Sequence, residues 1–179
     1  LIGDKEHEGG QTGQHGIFIE NCGFAQTTGL TSGTYSRYDS STVGIDKLNK
    51  IGVCIENCII EDCLQYGIRL NTSSNNTITG NTVQNNSSEG IRLSPSSNNT
   101  ITGNTIQNNG SQGIYLTSSS RNCITNNIVY QNNDVGIQLN STGNDYNNIY
   151  GNISQSNTGG NYSSGGGTGN QIWADMNIY

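Results

Sequence analysis

Residues 67–86 read GIRLNTSSNNTITGNTVQNN, and residues 90–109 repeat them almost letter for letter as GIRLSPSSNNTITGNTIQNN. The opening glycine of this stretch returns every 23 residues, at Gly44, Gly67, Gly90, Gly113 and Gly136. Self-similarity at one fixed period is typical of solenoid proteins, in which each repeat forms one coil. The polar composition, with only 30% hydrophobic residues, therefore indicates a repeat protein with a thin core, and the periodicity excludes disorder.

The apolar residues of each unit follow the period of a β-strand. Ile68 and Leu70 alternate with a polar residue, as a strand with one buried face requires. Gly, Asn and Ser interrupt each unit so often that no helix of about ten residues fits. Three short strands and three turns per 23-residue unit make one coil, and successive coils pair in parallel roughly 4.8 Å apart. The sequence thus predicts an all-β fold, a right-handed parallel β-helix of about six coils.

Stacked coils should place identical side chains above one another as ladders. Two isoleucine ladders are expected inside the solenoid, namely Ile68/Ile91/Ile114/Ile137 and Ile55/Ile78/Ile101/Ile124/Ile149. An asparagine ladder is expected at one corner: Asn81, Asn104, Asn127 and Asn152. Because Asn tolerates left-handed backbone and its amides can bond along a stack, this column predicts a tight bend with left-handed residues.

The pattern predicts one domain over 1–179, with an irregular N-terminal coil (1–43), regular coils (44–156) and a C-terminal loop and cap (157–179). The segment Gly16-Ile-Phe-Ile-Glu-Asn-Cys22 matches Gly52-Val-Cys-Ile-Glu-Asn-Cys58 with a shift of 36, so an insertion of about 13 residues lies within 26–43. Residues 3–15 are also irregular. Since rigid scaffolds tend to carry function on such loops, both segments are candidate functional regions.

The charge and the cysteine content of the chain limit the classes of partner and cofactor that it is expected to bind. A net charge of −6 and a pI near 4.6 disfavour nucleic acid, since phosphate binding needs a basic surface. No apolar run approaches the length of a membrane span, so membrane insertion is not expected. The five cysteines form no CxxC pair, so a metal cluster is not expected. No cofactor is expected. A chain starting at Leu1 fits a processed protein, secreted or at the cell surface, or a segment with flanking domains.

The motif GIRL…NNTITGNTVQNN resembles the parallel β-helix repeats of NosD-like proteins and of the carbohydrate-binding and sugar-hydrolase β-helix superfamily, which has the pectate-lyase-like fold. The resemblance is strong over residues 44–153 and weaker over 16–22. It implies that the outer face of the Gly-Ile-x-Leu sheet forms a substrate groove for polysaccharide. The repeated residues themselves are structural, so the resemblance predicts the fold more sharply than the function.

The middle residue of each Gly-Ile-x-Leu segment should point outward. This predicts a surface column of Asp46, Arg69, Arg92, Tyr115 and Gln138. Two hypotheses stay open for it. The arginines could be neutralised by Asp46 and Glu89, or they could bind the carboxylates or sulfates of an acidic sugar chain while Tyr115 stacks on a sugar ring. Arg37 and Tyr38, in the predicted insertion, are further substrate-binding candidates.

Catalysis is left undecided by the sequence. A glycosidase needs two carboxylates across the scissile bond, and the candidates are Asp4, Glu6, Glu8, Asp39 and Asp46. A polysaccharide lyase needs a cation and a base, for which Arg69 or Arg92 could act with Lys47, His15, Tyr38 or Tyr115. The leading hypothesis is a polysaccharide-engaging β-helix that could be part of a glycan-cleaving enzyme. The alternative is a non-catalytic structural or adhesive solenoid, such as a cell-envelope, surface-layer or tail-spike segment.

Cys22 and Cys58 occupy equivalent positions, at the corner that asparagine occupies in later coils. Neighbouring coils would bring them close enough for a disulfide, and two buried thiols are the other interpretation. Cys54 and Cys123 share another column but stand three coils apart, which is too far to bridge.

Overall fold

The computed structural model describes residues 18–20, 23–25, 44–48 and 51–173 of the 179-residue chain. Every regular element in these residues is a β-strand. The first ten strands are β1 (Phe18–Glu20), β2 (Gly23–Ala25), β3 (Ile45–Leu48), β4 (Cys54–Glu56), β5 (Ile59–Glu61), β6 (Ile68–Asn71), β7 (Thr77–Thr79), β8 (Thr82–Gln84), β9 (Ile91–Ser94) and β10 (Thr100–Thr102). The others are β11 (Thr105–Gln107), β12 (Ile114–Leu116), β13 (Cys123–Thr125), β14 (Ile128–Tyr130), β15 (Ile137–Leu139), β16 (Asn148–Tyr150), β17 (Ile153–Gln155), β18 (Tyr162–Ser164) and β19 (Gln171–Ile172).

The strands form three parallel sheets that run along the solenoid. The first sheet has seven strands in the order β1-β4-β7-β10-β13-β16-β19, and the second has six in the order β2-β5-β8-β11-β14-β17. The third, the Gly-Ile-x-Leu sheet, has six in the order β3-β6-β9-β12-β15-β18. The prediction of an all-β parallel β-helix is confirmed. No helix able to cross a membrane occurs in the described part of the chain.

The core is a set of stacked aliphatic side chains. Ile68 pairs with Ile91, which pairs with Ile114 and then Ile137, and all four have no exposed surface. The second predicted ladder, from Ile55 to Ile149, is likewise fully buried. Each such side chain contributes roughly 1.5–3 kcal/mol of hydrophobic stabilisation, so one or two buried residues per strand suffice for a thin core.

The recurring glycine is explained by close packing between coils. A Cβ at Gly90 would lie 2.6 Å from Cγ2 of Ile106 and 2.8 Å from the carbonyl oxygen of Gly113. Both distances are shorter than van der Waals contact allows. Gly90 therefore lets the Gly-Ile-x-Leu strand start directly against the core and the next coil.

Asparagine ladders are more extensive than predicted. Besides the predicted column, two more asparagine columns are buried: Asn76/Asn99/Asn122/Asn147 and Asn86/Asn109/Asn132/Asn157. Within each column, one amide oxygen accepts both the backbone N–H and the side-chain amide of the preceding coil, as when Oδ1 of Asn104 accepts from N (2.9 Å) and Nδ2 (3.0 Å) of Asn81. The ladders thus satisfy the backbone donors of turns that the solenoid buries.

The expected left-handed backbone lies one residue earlier than predicted. In the Asn81 column the positive φ angles belong to the preceding residues, which are Gly80 (65°), Gly103 (65°), Asn126 (54°) and Gly151 (68°). The ladder asparagine itself turns inward to bond along the stack. The left-handed bend and the buried amide are therefore supplied by two different residues.

Near both ends of the described chain, strands still pair with the neighbouring coil although the spacing departs from 23 residues. The shift of 36 is confirmed by the pairing of Phe18 with Cys54 and of Gly23 with Ile59. Residues 3–15 and 26–43 lie outside the described residues. The first part of the predicted C-terminal loop and cap (157–179) contains β18, which pairs with β15 through Ile137 and Tyr162. Strand pairing therefore continues through that segment.

Candidate ligand-binding face

The predicted surface column is present on the Gly-Ile-x-Leu sheet. Asp46 pairs in register with Arg69, Arg69 with Arg92, Arg92 with Tyr115, and Tyr115 with Gln138. The residues on either side in each strand point into the core, so the alternation of the strand turns these side chains outward.

Arg69 is neutralised within the column. Its Nε donates to Oδ1 of Asp46 at 3.0 Å, and its Nη2 donates to Oδ2 of the same carboxylate. These hydrogen bonds raise the pKa of the Arg69 guanidinium further above its usual range. About a third of each side chain remains exposed (31% and 33%), so solvent screens the pair and its contribution to stability is small.

Arg92 is held by a buried carboxylate and two aromatic rings. Its Nη1 lies 2.5 Å from Oε1 of Glu89, a side chain with only 7% of its surface exposed. Ser88 also donates its hydroxyl to Glu89. The Arg92 guanidinium lies 5.2 Å from the ring centre of Tyr66 and 5.0 Å from that of Tyr115, distances typical of cation–π contacts. The guanidinium is thus fixed between two tyrosines.

Amide side chains continue this surface toward the C-terminal coils. Nε2 of Gln112 donates to Oδ2 of Asp134 at 2.6 Å and to Oε1 of Gln138 at 2.7 Å. The side-chain amide of Asn140 donates to the hydroxyl of Tyr115. We call this surface the Arg–Tyr face; it comprises Asp46, Tyr66, Arg69, Glu89, Arg92, Gln112, Tyr115, Asp134 and Gln138.

Tyr66 is a member of the Arg–Tyr face that the sequence interpretation missed. It precedes Gly67 in the turn before β6, and the equivalent residues of the next coils are Glu89 and Gln112. All three take part in the face, so extending the repeat alignment one residue upstream of the glycine would have found the position.

The other predicted site residues are not brought to this face by any described contact. Asp4, Glu6, Glu8, His15, Arg37, Tyr38 and Asp39 lie outside the described residues. Lys47 pairs with Leu70 in the backbone register of β3 and β6, and its side chain is not described. Among the predicted carboxylates, Asp46 alone is located, and it binds Arg69. The assignment of catalytic carboxylates stays a prediction.

Of the described cysteines, Cys58 and Cys63 are buried, whereas Cys54 and Cys123 are partly exposed. Cys58 and Cys63 are buried at the N-terminal ends of two asparagine ladders, and their backbone N–H groups donate to Oδ1 of Asn81 and Asn86. Burial, together with the nearby charges of Asp62 and Glu61, raises the pKa of Cys63 to about 11. Cys22 lies outside the described residues, so its pairing with Cys58 stays a prediction.

Three parallel sheets, one coil per repeat and buried polar ladders define the chain as a parallel β-helix protein. The sequence matches the family described as NosD, periplasmic copper-binding protein, over residues 5–177. The chain therefore belongs to the NosD family, and the resemblance stated from the repeat is confirmed. No curated protein shows a significant match.

Two solved structures illustrate the fold similarity. The enzymatically active domain of tailspike protein 2 from bacteriophage CBA120 is 18% identical with a TM-score of 0.60, and the match covers 69% of this chain and 21% of the tailspike chain. The A-module of the mannuronan C-5 epimerase AlgE4 from Azotobacter vinelandii is 17% identical with a TM-score of 0.51, covering 89% of this chain and 56% of the module. The chain thus spans about a fifth and just over half of these proteins, and at this identity the likeness shows the fold alone.

The family description names copper, but the described residues contain no set of side chains suited to binding it. Copper sites use cysteine, methionine and histidine ligands, and none of the described residues form a group of three or more His, Cys, Asp or Glu side chains able to hold a metal ion. Cys54 and Cys123 share one column but are separated by Thr77 and Thr100, which puts them roughly 14 Å apart. The described coils therefore do not fit a copper centre. His7, His15, Cys22 and Met176 lie outside them.

Proposed function

We propose that this chain binds polysaccharide along the Arg–Tyr face. The observation that carries the proposal is the Arg92 guanidinium, which is fixed by Glu89 and flanked by the rings of Tyr66 and Tyr115. Sugar rings are recognised by aromatic side chains next to fixed hydrogen-bonding groups, because one ring face is apolar while the hydroxyls are polar. Arg92 and its neighbours present both kinds of group on a rigid sheet.

The shape of the face favours a polymer over a single sugar. Arg69, Arg92, Tyr115 and Gln138 are successive residues of one parallel ladder, so the column spans roughly 14 Å along the solenoid axis. An elongated ligand lying along this axis would contact several coils at once. The epimerase named for mannuronan, a polysaccharide, shares the fold, which supports the same ligand class for this chain.

Binding is the activity we assign to the described coils. Each carboxylate of the Arg–Tyr face already accepts a hydrogen bond from a neighbouring side chain: Asp46 from Arg69, Glu89 from Arg92, and Asp134 from Gln112. The other predicted carboxylates, Asp4, Glu6, Glu8 and Asp39, lie within 3–15 and 26–43, and we propose them as the candidates for any cleavage. The family description names the periplasm, and we propose a site of action outside the cytoplasm, secreted or at the cell surface.

Truncation of one tyrosine, with a matched control, tests the proposal. Tyr115→Ala should lower the affinity for a bound polysaccharide about tenfold, because it removes a stacking ring and a contact of Arg92. Tyr130→Ala is the control, since Tyr130 is a half-buried, outward-facing tyrosine on the second sheet. The measurement is isothermal titration against the polysaccharides that a glycan array retains. Equal losses in both variants, or no retention of any glycan by the unmodified chain, would contradict the proposal.

A further inference from the structure

We infer that the Arg–Tyr face selects uncharged polysaccharides over polyuronates and sulfated glycans; this rests on the proposed function. The inference follows from the partners of the two arginines. Asp46 binds Arg69 through both carboxylate oxygens, and Glu89 binds Arg92. The guanidinium charges that would attract an acidic sugar are therefore already neutralised inside the face.

The remaining charge of the face is negative. Asp134 carries a further carboxylate, and its described side-chain partner is the uncharged amide of Gln112. A sugar carboxylate placed against Arg92 would lie close to Glu89, and one placed near Gln138 would approach Asp134. Attraction to a guanidinium would then be offset by repulsion from its own carboxylate, because like charges a few ångströms apart repel strongly at a protein surface. The net charge of −6 over the whole chain acts in the same direction.

The hydrogen-bonding groups of the face suit hydroxyls. Gln112, Gln138 and the tyrosine hydroxyls each offer donors and acceptors, whereas an ionised carboxylate can only accept. Arg92 uses Nη1 for Glu89, and no described residue occupies its Nε or Nη2. A sugar hydroxyl can accept from these nitrogens and donate to a neighbouring amide oxygen. An uncharged glycan therefore matches the face without breaking an ion pair.

A paired titration decides between the ligand classes. The probes are an array of neutral polysaccharides, polyuronates and sulfated polysaccharides, followed by titration of the best-retained member of each class at low and at high NaCl. We expect the best neutral glycan to bind at least about tenfold more tightly than any acidic one, with little dependence on salt. Tighter, salt-sensitive binding of an acidic glycan would overturn the inference while leaving polysaccharide binding intact. No binding in any class would overturn the proposed function itself.

Charge-removing variants provide the second arm. Asp134→Asn keeps an acceptor for Gln112, and Glu89→Gln keeps one for Arg92, so the double variant reverses the net charge of the face with little change in shape. It should gain about tenfold in affinity for an acidic glycan, in a salt-dependent way. Asp145→Asn is the matched control, because Asp145 binds Thr168 at a different corner. If Glu89→Gln unfolds the chain, Asp134→Asn alone should still give a smaller gain. No gain in a folded variant would overturn the inference.

Discussion

At the corner before the first sheet, two bulky residues adopt a left-handed backbone conformation that other coils give to glycine or asparagine at the same position. The corner before the first sheet has positive φ at Gly52, Asn75 and Asn98, and then at Arg121 (57°) and Tyr146 (55°). Left-handed backbone costs residues other than Gly, Asn and Asp about 1–2 kcal/mol. The Arg121 guanidinium lies 5.8 Å from the Tyr146 ring centre, a contact that offsets part of this cost.

The strain at Arg121 can be measured with two substitutions that both remove the ring contact. Arg121→Asn should be more stable than Arg121→Ala by about 0.5–1 kcal/mol, because only asparagine tolerates the left-handed conformation. Urea denaturation of the two variants provides the comparison. Equal stabilities would show that this corner is not strained.

The thiol of Cys63 makes the free energy of unfolding depend on pH in the alkaline range. Its pKa rises from the ordinary value of 9.0 to about 11 in the folded chain, so the unfolded chain loses the thiol proton first. The stabilisation is fully present below pH 9 and is lost as the pH rises from about 9 to about 11. Unfolding free energies of the unmodified chain should therefore fall more steeply over this range than those of Cys63→Ser. Parallel curves for the two proteins would refute the assignment.

At the scale of elements, the asparagine ladders link coils through buried amides. Asn104 accepts from the backbone and side-chain nitrogens of Asn81 and donates to the carbonyl oxygen of Ile78 (2.9 Å) and to Oδ1 of Asn127 (2.9 Å). Replacing Asn104 leaves several buried polar groups without partners. Each of these groups costs about 1–3 kcal/mol when it is left unsatisfied.

Asn104→Ala should accordingly lower the free energy of unfolding by about 3–5 kcal/mol. The matched control is Asn148→Ala, since Asn148 is an exposed asparagine on β16 and its loss should stay within about 0.5 kcal/mol. Chemical denaturation of both variants tests the difference. A loss at Asn104 no larger than that at Asn148 would mean that the ladders do not stabilise the stack.

The sequence predicted the elements well because one period governs both the strands and their register. Ile68, Ile91 and Ile114 are equally spaced in the sequence. In a solenoid, residues that are one repeat apart stack on one another in neighbouring coils. The turns were predicted less well. The left-handed position was assigned to Asn81 in place of Gly80, because spacing alone does not say which residue of a turn bends the chain and which one points inward.

For the whole molecule, the solenoid turns a local repeat into an extended, rigid surface. The outward column from Asp46 to Gln138 was predictable from strand alternation, and its pairing with acidic neighbours was one of two open hypotheses. The contact of Tyr66 with Arg92 was not predictable, because the repeat gives the place of a turn residue but not the direction of its side chain. The side chains of a face can thus be assigned from the repeat, while their mutual contacts require three dimensions.

The central claim is that the Arg–Tyr face binds the glycan. It can be tested by titrating the 19.1 kDa chain with a neutral oligosaccharide that the array retains and mapping the changes in backbone amide chemical shifts. The largest shifts are predicted in β6, β9 and β12, around Arg69, Arg92 and Tyr115. Shifts centred on the threonines of β7 and β10, or on β14 of the second sheet, would contradict the account.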